Sequence, residues 1–193
     1  MELYLARHGQ SIHNRDGNDP GGHSPLTDEG RAQARRLGEW LVANAHVDAI
    51  YTSPLARARE TAAIVAGILG QSLQVRDELR EAAVFLPDVL PRPPAPWCDP
   101  WPTPSLDPAY AVFRQQVAVV TRDLVTQHPD EAVLVVAHGG TLATMIRLLL
   151  GIDAISIWTE NTALHHLTWL GQRWELRYLN RREHLGPNLP RVL

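Results

Sequence analysis

Apolar residues along the chain form two kinds of run, short continuous ones and helically spaced ones, and the two kinds alternate. Leu3-Tyr4-Leu5-Ala6 precedes Arg7-His8-Gly9, and a short apolar run bounded this way predicts a buried strand. Residues 9 to 26, with Gly17, Pro20, Gly21, Gly22 and Pro25, read as a loop. Thr27 is placed as an N-cap, and Asp28 and Glu29 suit the positive end of a helix running to about Asn44. Ala34, Leu37 and Leu41 recur at helical spacing and give that helix a core face. Val47 to Thr52 predicts a second strand. Ser53-Pro54 then reads as a cap followed by proline at the first position of a helix that ends near Gly70. Leu73 to Arg76 is a further short strand.

The pattern breaks at Pro87. Nine of the 22 residues from Pro87 to Pro108 are proline, which predicts a long loop, because proline lacks the N–H that helices and central strands need. Asp107-Pro108 is another cap-and-proline start, opening a helix to about His128 with Val112, Val119, Val120 and Leu124 turned to the core. Ala132 to Ala137 is a continuous apolar strand ending in His138-Gly139-Gly140, followed by a helix from Thr141 to Leu150 that Gly151 stops. Ala163 to Leu170 and Arg173 to Leu179, separated by Gly171-Gln172, read as a hairpin. Alternating strands and helices predict an α/β fold of three layers, α/β/α, around a mostly parallel sheet. Residues 1–193 are expected to form one domain, with residues 82–110 as a Pro-rich lid.

Composition narrows the partners. The chain has 193 residues, a formal net charge of -3 and 45% hydrophobic residues. That balance supports a sizeable core and gives no basic field, so nucleic acid and acidic membrane are not expected as partners. One cysteine, Cys98, rules out an internal disulfide framework. No apolar run approaches a membrane span and no secretory leader pattern is visible, so a cytoplasmic location is expected.

The candidate chemistry lies where strands end. In an open α/β sheet, ligands bind beyond the carboxyl ends of the strands, and His8, Ser53 to Arg57, Glu81 and His138 all follow predicted strands. Arg7 and Arg57 can each offer forked hydrogen bonds to an anion, and phosphate is the natural ligand. Phosphoryl transfer needs placement and charge neutralisation more than covalent chemistry from the protein. Asn14 and His138 can add donors, with His138 contributing if protonated. His8 remains as the nucleophile, kept neutral by nearby guanidinium charge. Glu81 is the candidate proton donor to the leaving group, although a register shift would exchange it with Glu78 or Asp77.

Read together, Arg7-His8-Gly9 with Asn14, Leu26-Thr27-Asp28-Glu29-Gly30, Ser53-Pro54-Leu55-Ala56-Arg57-Ala58, Leu79-Arg80-Glu81 and His138-Gly139-Gly140 resemble the histidine phosphatase superfamily, the phosphoglycerate mutase-like fold. The match spans most of residues 2 to 150. The resemblance implies a phosphohistidine intermediate on His8, a phosphate pocket of Arg7, Asn14, Arg57, His138 and Gly139, and Glu81 as proton donor. It implies no metal and no other cofactor. Two departures are visible: Ala82-Ala83-Val84-Phe85-Leu86 stands where many members carry a Gly-x-Trp-Glu-Gly segment, and Gln10 and His13 stand where glutamate and tryptophan are frequent.

The expected activity is metal-independent hydrolysis of a small phosphomonoester. The alternative is phosphotransfer of the 2,3-bisphosphoglycerate-dependent phosphoglycerate mutase type. The stretch from Ala82 to Ala111 holds Phe85, Trp97, Trp101 and Tyr110 but one basic residue, Arg92. Cations that would hold a second anionic group are scarce there, which favours a neutral or partly apolar leaving group. Trp97 and Trp101 equally suit packing on the domain or on a second subunit, so a homodimer is one expectation. Competing chemistries lack their parts: no His-Glu-x-x-His or aspartate-rich loop completes a metal site, and Cys98 has no downstream arginine to hold phosphate. His13, His23, His46, His128, His165, His166 and His184 are expected to be mostly surface residues.

Overall fold

The computed structural model describes residues 1–17, 23–83, 86–92 and 105–186. Six strands form one sheet: β1 (Glu2–Arg7), β2 (Ala49–Thr52), β3 (Leu73–Val75), β4 (Ala132–Ala137), β5 (Leu164–Trp169) and β6 (Trp174–Arg181), in the order β3-β2-β4-β1-β5-β6. The first four strands pair in parallel, and β5 and β6 add an antiparallel edge.

Strand alternation divides the core in two. Leu3, Leu5, Val133 and Val135 face one side and meet α5 (Pro108–Gln127) and α6 (Gly139–Leu150) through Phe113, Val117, Leu142 and Met145. Tyr4, Ala6, Leu134 and Val136 face the other side and meet α2 (Asp28–Asn44) and α3 (Ala56–Leu69) through Leu37, Leu41, Ala62 and Val65. Each fully buried aliphatic side chain here contributes about 1.5–3 kcal/mol by leaving water. The layers are therefore α/β/α, as the alternating pattern predicts.

Several boundaries differ from the sequence expectation. The loop after β1 contains a short helix, α1 (Ile12–Asp16), closed by a reciprocal cap between Ser11 and Asn14. The glycines and prolines around it mask this local signal. Helix α3 begins at Ala56 rather than Pro54, with Leu55 in the cap position and its N–H donating to Ser53 Oγ at 3.3 Å. Helix α6 begins at Gly139, two residues before the expected Thr141. On α5 the buried stripe is Tyr110, Phe113, Val117, Val120, Thr121 and Leu124, while Val112 is 71% exposed. Packing of Phe113, Val117 and Val120 against the sheet sets the rotation of that helix and leaves Val112 outward.

Inside the proline-rich stretch lies a second short helix, α4 (Leu86–Val89), with Leu86 buried. Pro87 occupies its first turn, where a missing N–H costs nothing. Trp97, Cys98, Trp101 and Phe85 lie outside the described residues, as do all of residues 84–85 and 93–104 of the expected lid. Among the described residues no helix is long and apolar enough to cross a membrane.

Candidate active site

Parallel pairing brings the carboxyl ends of β1, β4 and β2 side by side, with Arg7 opposite Ala137 and Thr52 opposite Val136. The His8 N–H continues the ladder onto Ala137 O at 3.0 Å, and the Ser53 N–H onto Val136 O at 3.2 Å. His8, Ser53 and His138 therefore leave the sheet together. The His8 and His138 rings lie 5.2 Å apart between centroids, nearly edge to face.

Two contacts fix the state of His8. Its Nδ1 lies 2.8 Å from Gly9 O, and Arg57 Nε donates to its Nε2 at 3.2 Å. A carbonyl only accepts and a guanidinium only donates, so the proton sits on Nδ1 and the lone pair on Nε2. Burial pushes the His8 pKa well below 6.5, and His138, Arg7 and Arg57 push it further in the same direction. The ring is neutral.

His138 is also held neutral, first by burial and then by Arg57 and Arg7. Its Nε2 lies 2.8 Å from Ser53 Oγ, and its Nδ1 is buried with no hydrogen-bond partner among the described residues. If the Ser53 hydroxyl donates, the proton of His138 is on Nδ1 and is available to an anion. In that arrangement Ser53 orients a neutral His138 ring, where the sequence expectation called for a charged one. Sequence reasoning cast Ser53 as a helix cap and missed this contact.

Arg7 is anchored through Nη1 to Thr159 O at 2.6 Å, and its buried Nε has no partner among the described residues. Burial lowers its pKa, against the opposing pull of Glu81 and Glu160. Arg57, 8% exposed, lies in the first turn of α3. Helix α3 is tied to the His8 turn by Gly9 N–H to Thr61 Oγ1 at 3.0 Å. Gly9 itself is required: a Cβ there would meet Gly30 O at 2.5 Å.

Glu81 follows the short turn Asp77–Leu79, whose Leu79 is fully buried. Its Oε2 accepts Gly140 N–H at 3.1 Å, and its Oε1 accepts from Ala82 N–H at 3.0 Å and Thr141 Oγ1 at 3.3 Å. Glu78, by contrast, is paired with Arg76, which lowers its pKa. Of the two carboxylates, Glu81 is the one brought to the strand ends.

A cleft of ≈ 310 Å³ opens here, lined at one end by Arg7, Glu81, Gly139 and Gly140 and walled by Leu86, Pro87, Leu90, Ile157 and Trp158. Asn14 is placed at the edge of the site. Its Oδ1 accepts from Ser11 and from Asn161 Nδ2 at 3.2 Å, and the same Asn161 Nδ2 donates to His8 O at 3.0 Å. Asn161 and Thr159 had no signal in the sequence, since the segment before β5 has neither period nor motif.

His23 and His46 are exposed as expected, but several of the remaining histidines are less so. His165 is fully buried between Thr159 Oγ1 and the Asn180 N–H, and burial pushes its pKa down to about 4. His184, bonded to Thr162 Oγ1, is also pushed down to about 4. His128 bonds Tyr51, and His166 stacks on Tyr4.

The chain belongs to the histidine phosphatase superfamily (branch 1), whose family model matches residues 3–182. It is 33% identical to a Hydrogenobacter thermophilus protein provisionally named phosphoserine phosphatase 2, over 93% of this chain and 95% of that one. It is 30% identical to the adenosylcobalamin/alpha-ribazole phosphatase of Escherichia coli, over 82% and 83% of the two chains. The crystal structure of the alpha-ribazole phosphatase from Shigella flexneri superposes with a TM-score of 0.74 at 25% identity, covering 94% of this chain and 97% of that one.

Proposed function

We propose that this chain is a phosphomonoester hydrolase that passes the phosphoryl group through Nε2 of His8. The observation that carries the proposal is the state of His8, neutral, protonated on Nδ1 toward Gly9 O, with its Nε2 lone pair facing Arg57. The 3.2 Å contact between Arg57 and Nε2 is at the long end for a hydrogen bond. A phosphate dianion is the stronger acceptor and draws the guanidinium onto its own oxygens, which frees the lone pair.

In the first step Nε2 attacks phosphorus, the bond from phosphorus to the ester oxygen breaks, and the Glu81 carboxyl gives its proton to the leaving alkoxide. In the second step the Glu81 carboxylate takes a proton from water, the water oxygen attacks phosphorus, and the bond from phosphorus to Nε2 breaks. Arg7, Arg57, His138 through Nδ1, Asn14 and the Gly139 backbone at the start of α6 hold the equatorial oxygens. Every proton moved is returned by the end of the cycle, so the scheme asks for no metal or organic cofactor.

The named relatives support a small phosphorylated metabolite as the substrate, and a cytoplasmic enzyme fits that chemistry. Assay of p-nitrophenyl phosphate with excess chelator, beside His8→Ala, tests the proposal. Turnover should survive the chelator and fall on the order of 10⁴-fold or more in the variant. Denatured wild-type protein quenched during turnover should carry acid-labile, base-stable phosphate. Full activity of His8→Ala, or loss with chelator alone, refutes it. Isomerisation of 3-phosphoglycerate with a bisphosphate primer, at a rate exceeding hydrolysis, replaces it with the mutase reading.

A further inference from the structure

The wall of the cleft contains a charge that the reaction as written does not use. Gly139, Gly140, Ala143 and Arg147 all line it from α6, at the spacing that puts residues on one helix face. Seven residues separate Gly140 from Arg147, about 10 Å along the axis at 1.5 Å per residue. Helical side chains lean back toward the N-terminus. The Arg147 guanidinium therefore belongs about 5–10 Å from the phosphate end of the cleft.

Arg147 is 2% exposed. Its Nε donates to Ile155 O at 2.8 Å and its Nη1 reaches Thr144 Oγ1 at 3.5 Å, and the Tyr110 hydroxyl is its third neighbour. All three are neutral groups. The neighbouring carboxylate, Asp153, is gripped by both ends of Arg114 at 2.8 and 3.2 Å. No carboxylate among the described residues forms an ion pair with Arg147. A buried cation without a counter-ion is costly, and this one stands on the wall of a substrate cleft.

We propose that Arg147 is a specificity residue that recognises an anionic group, a carboxylate, on the leaving group of the substrate, about 5–10 Å from the phosphorus. The inference rests on the phosphatase reading above and narrows its substrate class to phosphorylated hydroxy acids or their like. It departs from the expectation of a neutral or partly apolar leaving group, which considered cations only in the proline-rich cover. The recognising charge comes instead from α6, eight residues beyond the motif glycine Gly139. Trp158, 65% exposed on the same wall, supplies an apolar face for the body of the leaving group.

The test compares phenyl phosphate with 4-carboxyphenyl phosphate, which places a carboxylate across a rigid ring from the ester oxygen. The wild type should favour the carboxylated ester at least about tenfold in kcat/KM, given what a charge-assisted hydrogen bond contributes. Arg147→Met should erase that preference, mainly through KM, and Arg147→Lys should restore part of it. The ratio between the two esters is the readout, because a merely structural role for Arg147 lowers both rates together. A wild type without preference overturns the inference even if Arg147→Met fails to fold, and so does a ratio unchanged in Arg147→Met. Wild-type protein that turns over neither ester and acquires no phosphate on His8 removes the phosphatase reading, and this inference with it.

Discussion

Replacing Gly140 with alanine tests the role of Glu81 without touching the carboxylate itself. An added Cβ would lie 2.6 Å from Glu81 Oε1 and 2.6 Å from Leu86 Cδ1, where ordinary contact begins at 3.4 Å. The carboxylate must therefore retreat by 3.4 − 2.6, or about 0.8 Å. Both atoms are ends of flexible side chains, so they yield and the backbone does not. Misplacing a catalytic group by about 1 Å costs on the order of 10²-fold. Removing a general acid altogether costs about 10²–10⁴-fold. Gly140→Ala should thus lower kcat on an alkyl phosphomonoester about 10²-fold.

With p-nitrophenyl phosphate the first step needs no acid, because the nitrophenolate leaves unprotonated. A rapid-mixing assay should then show a burst of nitrophenolate equal to the enzyme, followed by slow turnover limited by the water step. Stability should change little, since helix propensity gains about 1 kcal/mol from glycine to alanine and the contact costs about 1–3 kcal/mol. A thermal melt checks this. Wild-type turnover on the alkyl ester would refute the assignment of Glu81, and so would an absent burst in a folded variant.

Ser53→Ala removes the partner of His138 Nε2 at 2.8 Å and should cost about 1 kcal/mol, or five- to tenfold in kcat/KM, and it should add little on top of His138→Ala in a double-mutant cycle. Gly30→Ala would set a Cβ 2.0 Å from Gln10 O, a backbone atom, so its urea midpoint should fall by the equivalent of about 1–3 kcal/mol or more, and activity should fall with it. Acid should destabilise the fold: His165 and His184 titrate near 4 when folded and near 6.5 when unfolded. The unfolded chain then binds more protons between those values, so stability is complete above about pH 6.5 and is lost as pH falls toward 4, by at most about 3 kcal/mol per histidine. Denaturant titrations at several pH values check the slope, and His165→Gln should flatten it.

Much of the fold was legible in the chain because its signals are local. The Asp107-Pro108 cap, the continuous run Ala132 to Ala137 and the hairpin around Gly171 each specify their element within a few residues, and all three stand in the structure. The strand-end placement of His8, Arg57, Glu81 and His138 was legible for the same reason. Local signals failed where two competed. At Ser53-Pro54, cap chemistry suited a helix start, and the hydroxyl does accept the Leu55 N–H, but it also meets His138, a residue 85 positions away. At Val112 the helix was right and its rotation was not, because only packing against the sheet fixes which stripe is buried.

What the sequence by itself determined was the order of strands and helices and the inventory of cationic, nucleophilic and acidic side chains at strand ends. Tertiary structure alone decided how that inventory is used. The proton on Nδ1 of His8 follows from the Gly9 carbonyl on one side and Arg57 on the other. Glu81 rather than Glu78 reaches the site because Arg76 captures Glu78. Buried histidines such as His165 and the buried charge of Arg147 have no periodic signature in the chain. Protonation, hydrogen-bond partnership and charge balance depend on distances across the sheet, and a one-dimensional pattern does not encode distances between residues far apart along the chain.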